Sequence, residues 1–221
     1  MSGSVANTVW ARAFVEELAR AGVRDAVVAP GSRSTPLVMA LAREERIRTR
    51  VHLDERSAAF FALGVGKATG RPAAVVTTSG TAVANLLPAV VEASQSGVPL
   101  LVLTADRPHR LRGADANQAI HQPGIFGSYP RASHEMAPPT ADGPALRHLR
   151  AVAVRSVLAA TGDDAGPVHV NFPFDKPLEP REPDAEAADR HPMAFGGRAD
   201  GAPFTRTLRG RLTLSDDELD T

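Results

Sequence analysis

No cysteine occurs anywhere in the chain. That absence excludes disulfides, thiolate metal sites and cysteine nucleophiles together. Neither sign of charge dominates: 25 basic side chains are matched by 25 acidic ones. The strongly basic footprint of a nucleic-acid binder is therefore missing. No run is long and apolar enough to span a membrane. The opening segment is interrupted by Arg12, Glu16, Glu17 and Arg20, so it lacks the apolar core of a signal peptide. These absences predict a soluble, cytoplasmic protein that binds neither nucleic acid nor membrane. What is present is a 43% hydrophobic content over 221 residues. That is enough to bury the core of one sizeable domain.

Ala11, Phe14, Val15 and Leu18 recur at helical spacing, with Asn7 placed to cap that helix and Gly22 to end it. The stretch DAVVAPGS (25–32) predicts a short buried strand broken at Pro30–Gly31. Pro36 predicts the first turn of a second helix. RVHL (50–53), AAVVTT (73–78), PLLVLTA (99–105) and PVHVNF (167–172) read as further strands. Helices are expected over SAAFFALGVGKA (57–68), AVANLLPAVVEAS (82–94), with Pro88 placed to kink it, and ALRHLRAVAVRSVLAAT (145–161). Residues 129–136 stay open as a further strand. Short β-branched strands alternate with helices and show no in/out polar pattern. The expected fold is an α/β three-layer sandwich: a mostly parallel five- or six-stranded sheet with helices on both faces.

Prolines 173, 177, 180, 183 and 192 punctuate a charged stretch of linker composition. The expected division is a domain over 1–177, a linker over 178–205 and the start of a further domain over 206–221. Ser215 and Glu218 have capping-box spacing, which announces a helix just where the sequence stops; a frayed terminus is the alternative.

Open α/β sheets bind ligands beyond the carboxyl ends of their strands. Four loops qualify: PGSRSTP (30–36), DERS (54–57), TSGTA (78–82) and ADRPHRLRGADANQ (105–118). They are expected to gather Ser32, Arg33, Glu55, Thr78, Arg107 and Gln118, together with Ser79, Arg110, Arg112 and Asn117. Arginine forks suit carboxylates or phosphates. Other motifs fail on context. Gly64, Gly66 and Gly70 fall late in a helix, where close packing explains them better than a dinucleotide fingerprint. Gly66–Lys67 lacks the upstream glycine of a P-loop, and Ser79 lacks the flanking glycine of a nucleophile elbow. The seven histidines show no metal-ligand spacing; His52 and His169 are expected in or beside strands, and His109 and His121 in solvated loops.

Glu55 stands where an extended segment meets an almost wholly apolar helix. An acid at a helix start is commonly just favourable to the helix dipole. Here the apolar helix predicts a low-dielectric setting, in which the carboxyl could share a proton with a heterocyclic nitrogen.

Five stretches in order carry a resemblance: APGSRSTPL (29–37), HLDERSAAFFALG (52–64), TTSGTAVANLLPAVVEAS (77–94), PLLVLTADRP (99–108) and GADANQAIHQPGIFG (113–127). The chain resembles, from about Asn7 to about Pro177, the N-terminal pyrimidine-binding domain of thiamine-diphosphate enzymes. More narrowly, it is similar to the synthases that make 2-succinyl-5-enolpyruvyl-6-hydroxy-3-cyclohexene-1-carboxylate in menaquinone biosynthesis. The resemblance implies that Glu55 is the cofactor-activating glutamate, hydrogen-bonded to the aminopyrimidine so that the thiazolium C2 proton can leave. It implies that Thr78 lies near the pyrimidine, and that Ser32, Arg33, Arg107 and Gln118 hold substrate. The substrates it implies are 2-oxoglutarate, which loses CO2, and isochorismate, which accepts the remainder. Arg110 and Arg112 have no such counterpart. Relatives bind the diphosphate and Mg2+ or Mn2+ through a Gly-Asp-Gly signature in another domain, and complete the site between subunits of a dimer or tetramer. That signature is missing; GDD at 162–164 is followed by Asn171 too soon. The expectation is an N-terminal part with no metal ligands of its own and no activity alone. Two alternatives stay open: a non-catalytic regulatory or interaction module on the same scaffold, and another thiamine-diphosphate decarboxylase or synthase.

Overall fold

A computed structural model of the protein describes residues 3–183, 191–208 and 210. Six strands form one sheet: β1 (Asp25–Val28), β2 (Arg48–Val51), β3 (Ala73–Thr77), β4 (Leu100–Asp106), β5 (Ala132–Glu135) and β6 (Pro167–Pro173). All pairings are parallel, in the order β2-β1-β3-β4-β6-β5. The central strands are buried along their whole length. Because helices cover both faces, their side chains need not alternate in polarity.

Helices α1 (Gly3–Arg20), α2 (Thr35–Arg43) and α6 (Gly143–Ala160) cover one face. There Phe14, Leu18, Leu37 and Leu149 pack against Val28, Val76, Leu101 and Phe172. Helices α3 (Glu55–Thr69) and α5 (Leu87–Gln95) cover the other face. Ala58, Ala59, Ala62 and Val90 meet Val27, Val75 and Val102 there. The small residues let α3 lie close to the sheet. At Gly66 an added Cβ would come 2.6 Å from the Pro99 carbonyl oxygen. Gly70 ends the helix in the left-handed region at φ 65°, whereas a Cβ added to Gly64 would meet only open space.

Several expectations change in the structure. Asn7 does not cap α1; it lies inside the helix, and its Nδ2 donates to the carbonyls of Asp175 at 2.7 Å and Pro177 at 3.0 Å. The predicted helix over 82–94 is two helices, α4 (Thr81–Ala84) and α5. Pro88 has no N–H for the Ala84 carbonyl, so the ladder breaks there. Strand β2 lies two residues earlier than RVHL, and the open segment 129–136 contains β5, paired in register with β6.

Residues 174–183 run along α1, where Arg181 N donates to Thr8 Oγ1 at 3.0 Å. A short helix α7 (Pro192–Gly196) packs on α6. The proposed capping box at Ser215 and Glu218 lies outside the described residues. Among the described residues, no helix is long and apolar enough to cross a membrane.

Candidate functional site

The chain runs outward in opposite directions from β1 and β3: β2 lies beyond β1, and β4 beyond β3. The crevice between them is the topological switch point, where open α/β sheets bind ligands. The loops after β1 and β3 press together there. A Cβ on Gly31 would collide with the Thr78 side chain, so only glycine permits this approach. Above them opens a cavity of about 550 Å³. Ser32, Arg33, Glu55, Thr78, Arg107 and Gln118 all line it. The sequence also drew Ser79, Arg110, Arg112 and Asn117 to this edge, but none of them lines the cavity.

Arg33 sits in a 3-10 turn, Ser32–Ser34, and is buried, at 7% exposure. Its Nη1 donates to the Phe174 carbonyl at 2.9 Å, and its Nε is buried without a partner. Burial, and then the nearby Arg107 charge, hold its pKa below the ordinary guanidinium value. Arg107 leaves the tip of β4. It donates to Ser79 Oγ and, at 2.5 Å, to the Asn117 carbonyl. No carboxylate pairs with either guanidinium among the described residues. Two guanidiniums with spare donors therefore face one cavity, which Lys176 also lines, an arrangement suited to a carboxylate-rich ligand.

Gln118 is locked by the neighbouring loop. Its Nε2 donates to the Ser79 carbonyl at 2.9 Å, and Ser79 Oγ donates to the Gln118 carbonyl at 3.1 Å. Gly80, at φ 87°, leaves room for this; a Cβ there would lie 2.8 Å from Gln118 Cγ. Beneath them Gln122 is fully buried and saturated. It accepts from Gly80 N at 2.9 Å and donates to the Ala105 carbonyl at 3.1 Å and Asn171 Oδ1 at 2.8 Å. Gln122 and Asn171 thus stitch the loops that present Arg107 and Gln118. Both residues fall in stretches that pattern alone marks only as loop and strand, so this duty was not visible in the sequence.

Arg110 and Arg112 are turned to other partners. Arg110 pairs with Asp175 at 2.6 Å, and Arg112 bridges Asp106 at 2.9 Å and Glu135 at 2.5 Å. Asn117 contributes its carbonyl rather than its side chain. His109 approaches Glu135 at 3.6 Å, and His121 is exposed outside the cavity.

Glu55 opens α3. The preceding Asp54 caps the helix by accepting from Ser57 N at 2.7 Å. Asn85 Nδ2 donates to Glu55 Oε2 at 3.1 Å. The expected low-dielectric enclosure is not made by the described residues. Glu55 is only half-buried, and on its helix Phe60 and Phe61 are 41% and 39% exposed. The apolar helix is left partly as surface: His52 and Arg50 pack against Phe61 at 4.7 and 5.6 Å, yet Phe60 and Phe61 stay well exposed. The donor set nonetheless fits an aminopyrimidine: one carboxylate oxygen is held by an amide, and the other has no partner among the described residues. For a metal there is no fit, since no three His, Asp or Glu residues among those described could share an ion.

A second cavity, of about 500 Å³, lies between α6 and residues 198–207. None of its lining residues has a buried side-chain polar atom without a partner, and Arg198 there pairs with Asp200 at 2.5 Å.

Residues 9–125 match the family described as thiamine pyrophosphate enzyme, N-terminal TPP binding domain, and the chain belongs to that family. Within it, the chain is similar to the 2-succinyl-5-enolpyruvyl-6-hydroxy-3-cyclohexene-1-carboxylate synthase of Roseiflexus castenholzii, at 55% identity over 92% of this chain and 35% of that protein. The proteins of the same name from Halobacterium salinarum and Haloquadratum walsbyi are 51% and 50% identical, over 92% and 99% of this chain and 36% and 35% of theirs. The chain spans about a third of the length of these curated relatives.

Proposed function

We propose that this chain is the pyrimidine-binding part of a thiamine-diphosphate-dependent synthase of menaquinone biosynthesis. The whole enzyme takes 2-oxoglutarate, releases CO2 and adds the four-carbon remainder to isochorismate. One observation carries the reading: Glu55 and two guanidiniums without carboxylate partners line a single cavity at the sheet's switch point. The relatives' names point to the same product.

In this reading Glu55 hydrogen-bonds the aminopyrimidine ring, and Thr78 borders that ring. Ser32, Arg33, Arg107 and Gln118 bind the carboxylates of the two substrates. Thiamine diphosphate, when bound, supplies the carbon nucleophile and electron sink that decarboxylation of a 2-oxo acid requires. Mg2+ or Mn2+ accompanies the diphosphate, held by a part of the whole protein other than the described residues. A second copy covers the face of α3. The exposed Phe60 and Phe61, beside Leu53 and Leu87, support this, since such apolar side chains near a half-open acid suit a protein interface. The cysteine-free composition accords with work in the cytoplasm.

Substrate trials on the complete enzyme test the reading. Isochorismate and 2-oxoglutarate are expected to disappear together with release of CO2. Turnover of pyruvate alongside inertness toward isochorismate would transfer the chain to another decarboxylase or synthase. Glu55→Gln is expected to fold and to lose thiazolium C2 proton exchange, followed by NMR; an unchanged exchange rate removes Glu55 from the mechanism.

A further inference from the structure

We propose that Asn85 is the positioning residue of Glu55: its side-chain amide holds the carboxylate in one rotamer, with one oxygen committed and the other left for the ligand. The proposal rests on the reading of Glu55 as the acid that meets a ring nitrogen. Asn85 caps α4, its own N–H bonded to the Thr81 carbonyl. Pro88 prevents the helix from running straight through this point. Asn85 Nδ2 then reaches Glu55 Oε2 across the mouth of the cavity that both residues line.

No other side-chain partner of Glu55 is found among the described residues, and Oε1 has none. A half-exposed glutamate has three rotatable side-chain bonds, so without a partner it samples several positions. A carboxylate that must meet one nitrogen at hydrogen-bond distance needs a single position. A neutral amide suits this duty. It orients the carboxylate without the competing charge that an arginine would bring. The side chain has no evident duty in the fold: it is exposed and makes no other described hydrogen bond.

Scalar couplings across the Glu55 side chain, measured by NMR on the chain, test the contact directly. A single rotamer is expected in the wild type and an average in Asn85→Leu, with the melting temperature unchanged. In the complete enzyme Asn85→Leu is expected to lower kcat about tenfold, leaving substrate KM within twofold. Asn85→Gln, which keeps a donor, should recover part of that loss. Couplings that ignore Asn85→Leu, or a KM effect with kcat intact, overturn the proposal. Full turnover by Glu55→Gln is a separate failure; it removes the reading of Glu55 and leaves the coupling result standing for the contact alone.

Discussion

Two arginines are buried among the described residues, and they are buried differently. Arg150 on α6 is wholly enclosed, yet its donors are matched. Nε takes the Ala194 carbonyl at 2.9 Å, Nη1 takes Glu17 at 2.8 Å, and Nη2 takes Glu16 at 2.8 Å and the Phe195 carbonyl at 2.6 Å. Glu17 is itself fully buried and also accepts from Phe204 N. Arg33 has one carbonyl, a bare Nε and another guanidinium for a neighbour. A buried charge without partners costs free energy that folding alone does not return. The first arginine therefore ties α1, α6 and α7 together. The second keeps a spare donor toward the cavity, which the proposed function gives to a substrate carboxylate.

The largest expected effect tests the satisfied member. Arg150→Met should destabilise the fold by about 3–5 kcal/mol, because Glu17 is left buried and unpaired. Urea melts measure it, and a loss below about 1 kcal/mol would erase the contrast. Next comes an acid limb that neither arginine can produce. Burial, and then the charge of His134, hold His169 down at about 4. Its Nε2 lies 2.7 Å from Thr104 Oγ1. Above about pH 6.5 neither state binds this proton. Between about pH 6.5 and 4 the unfolded chain binds it and the native chain does not, so stability falls as pH falls, by about 3 kcal/mol in all. His169→Gln should flatten that limb in melts at pH 7 and pH 4; an unaltered slope assigns it elsewhere. The smallest effect belongs to Arg33→Met. Removing the bare donor offsets the lost Phe174 contact, so stability should stay within about 1 kcal/mol of wild type. A loss near that of Arg150→Met would make Arg33 a second structural arginine.

Much of the scaffold was legible from local pattern. Apolar strands alternating with helices predicted a parallel sheet covered on both faces, and all six strands are parallel. Pro88 marked the break between α4 and α5. The edge strand β5 was harder, since ASHE alternates in burial and has no apolar run of its own. Within the site, Ser32, Arg33, Glu55, Thr78, Arg107 and Gln118 were legible as one group, because strand-end loops converge in this fold. Arg110 and Arg112 looked the same in sequence. They are absent from the cavity because Asp175, Asp106 and Glu135, distant along the chain, meet them first. Asn85 left a faint signal, a lone amide in an apolar stretch upstream of Pro88.

The sequence by itself determined where strands, helices and strand-end loops fall, because hydrophobic period, glycine and proline act over a few residues. Tertiary structure alone decided which charges are satisfied and which are left waiting. Residues 17 and 150 form an ion pair only after α1 and α6 dock, whereas residues 33 and 107 face each other only after β1 and β4 take their places in the sheet. Pairing depends on separation in space, and chain position does not record it.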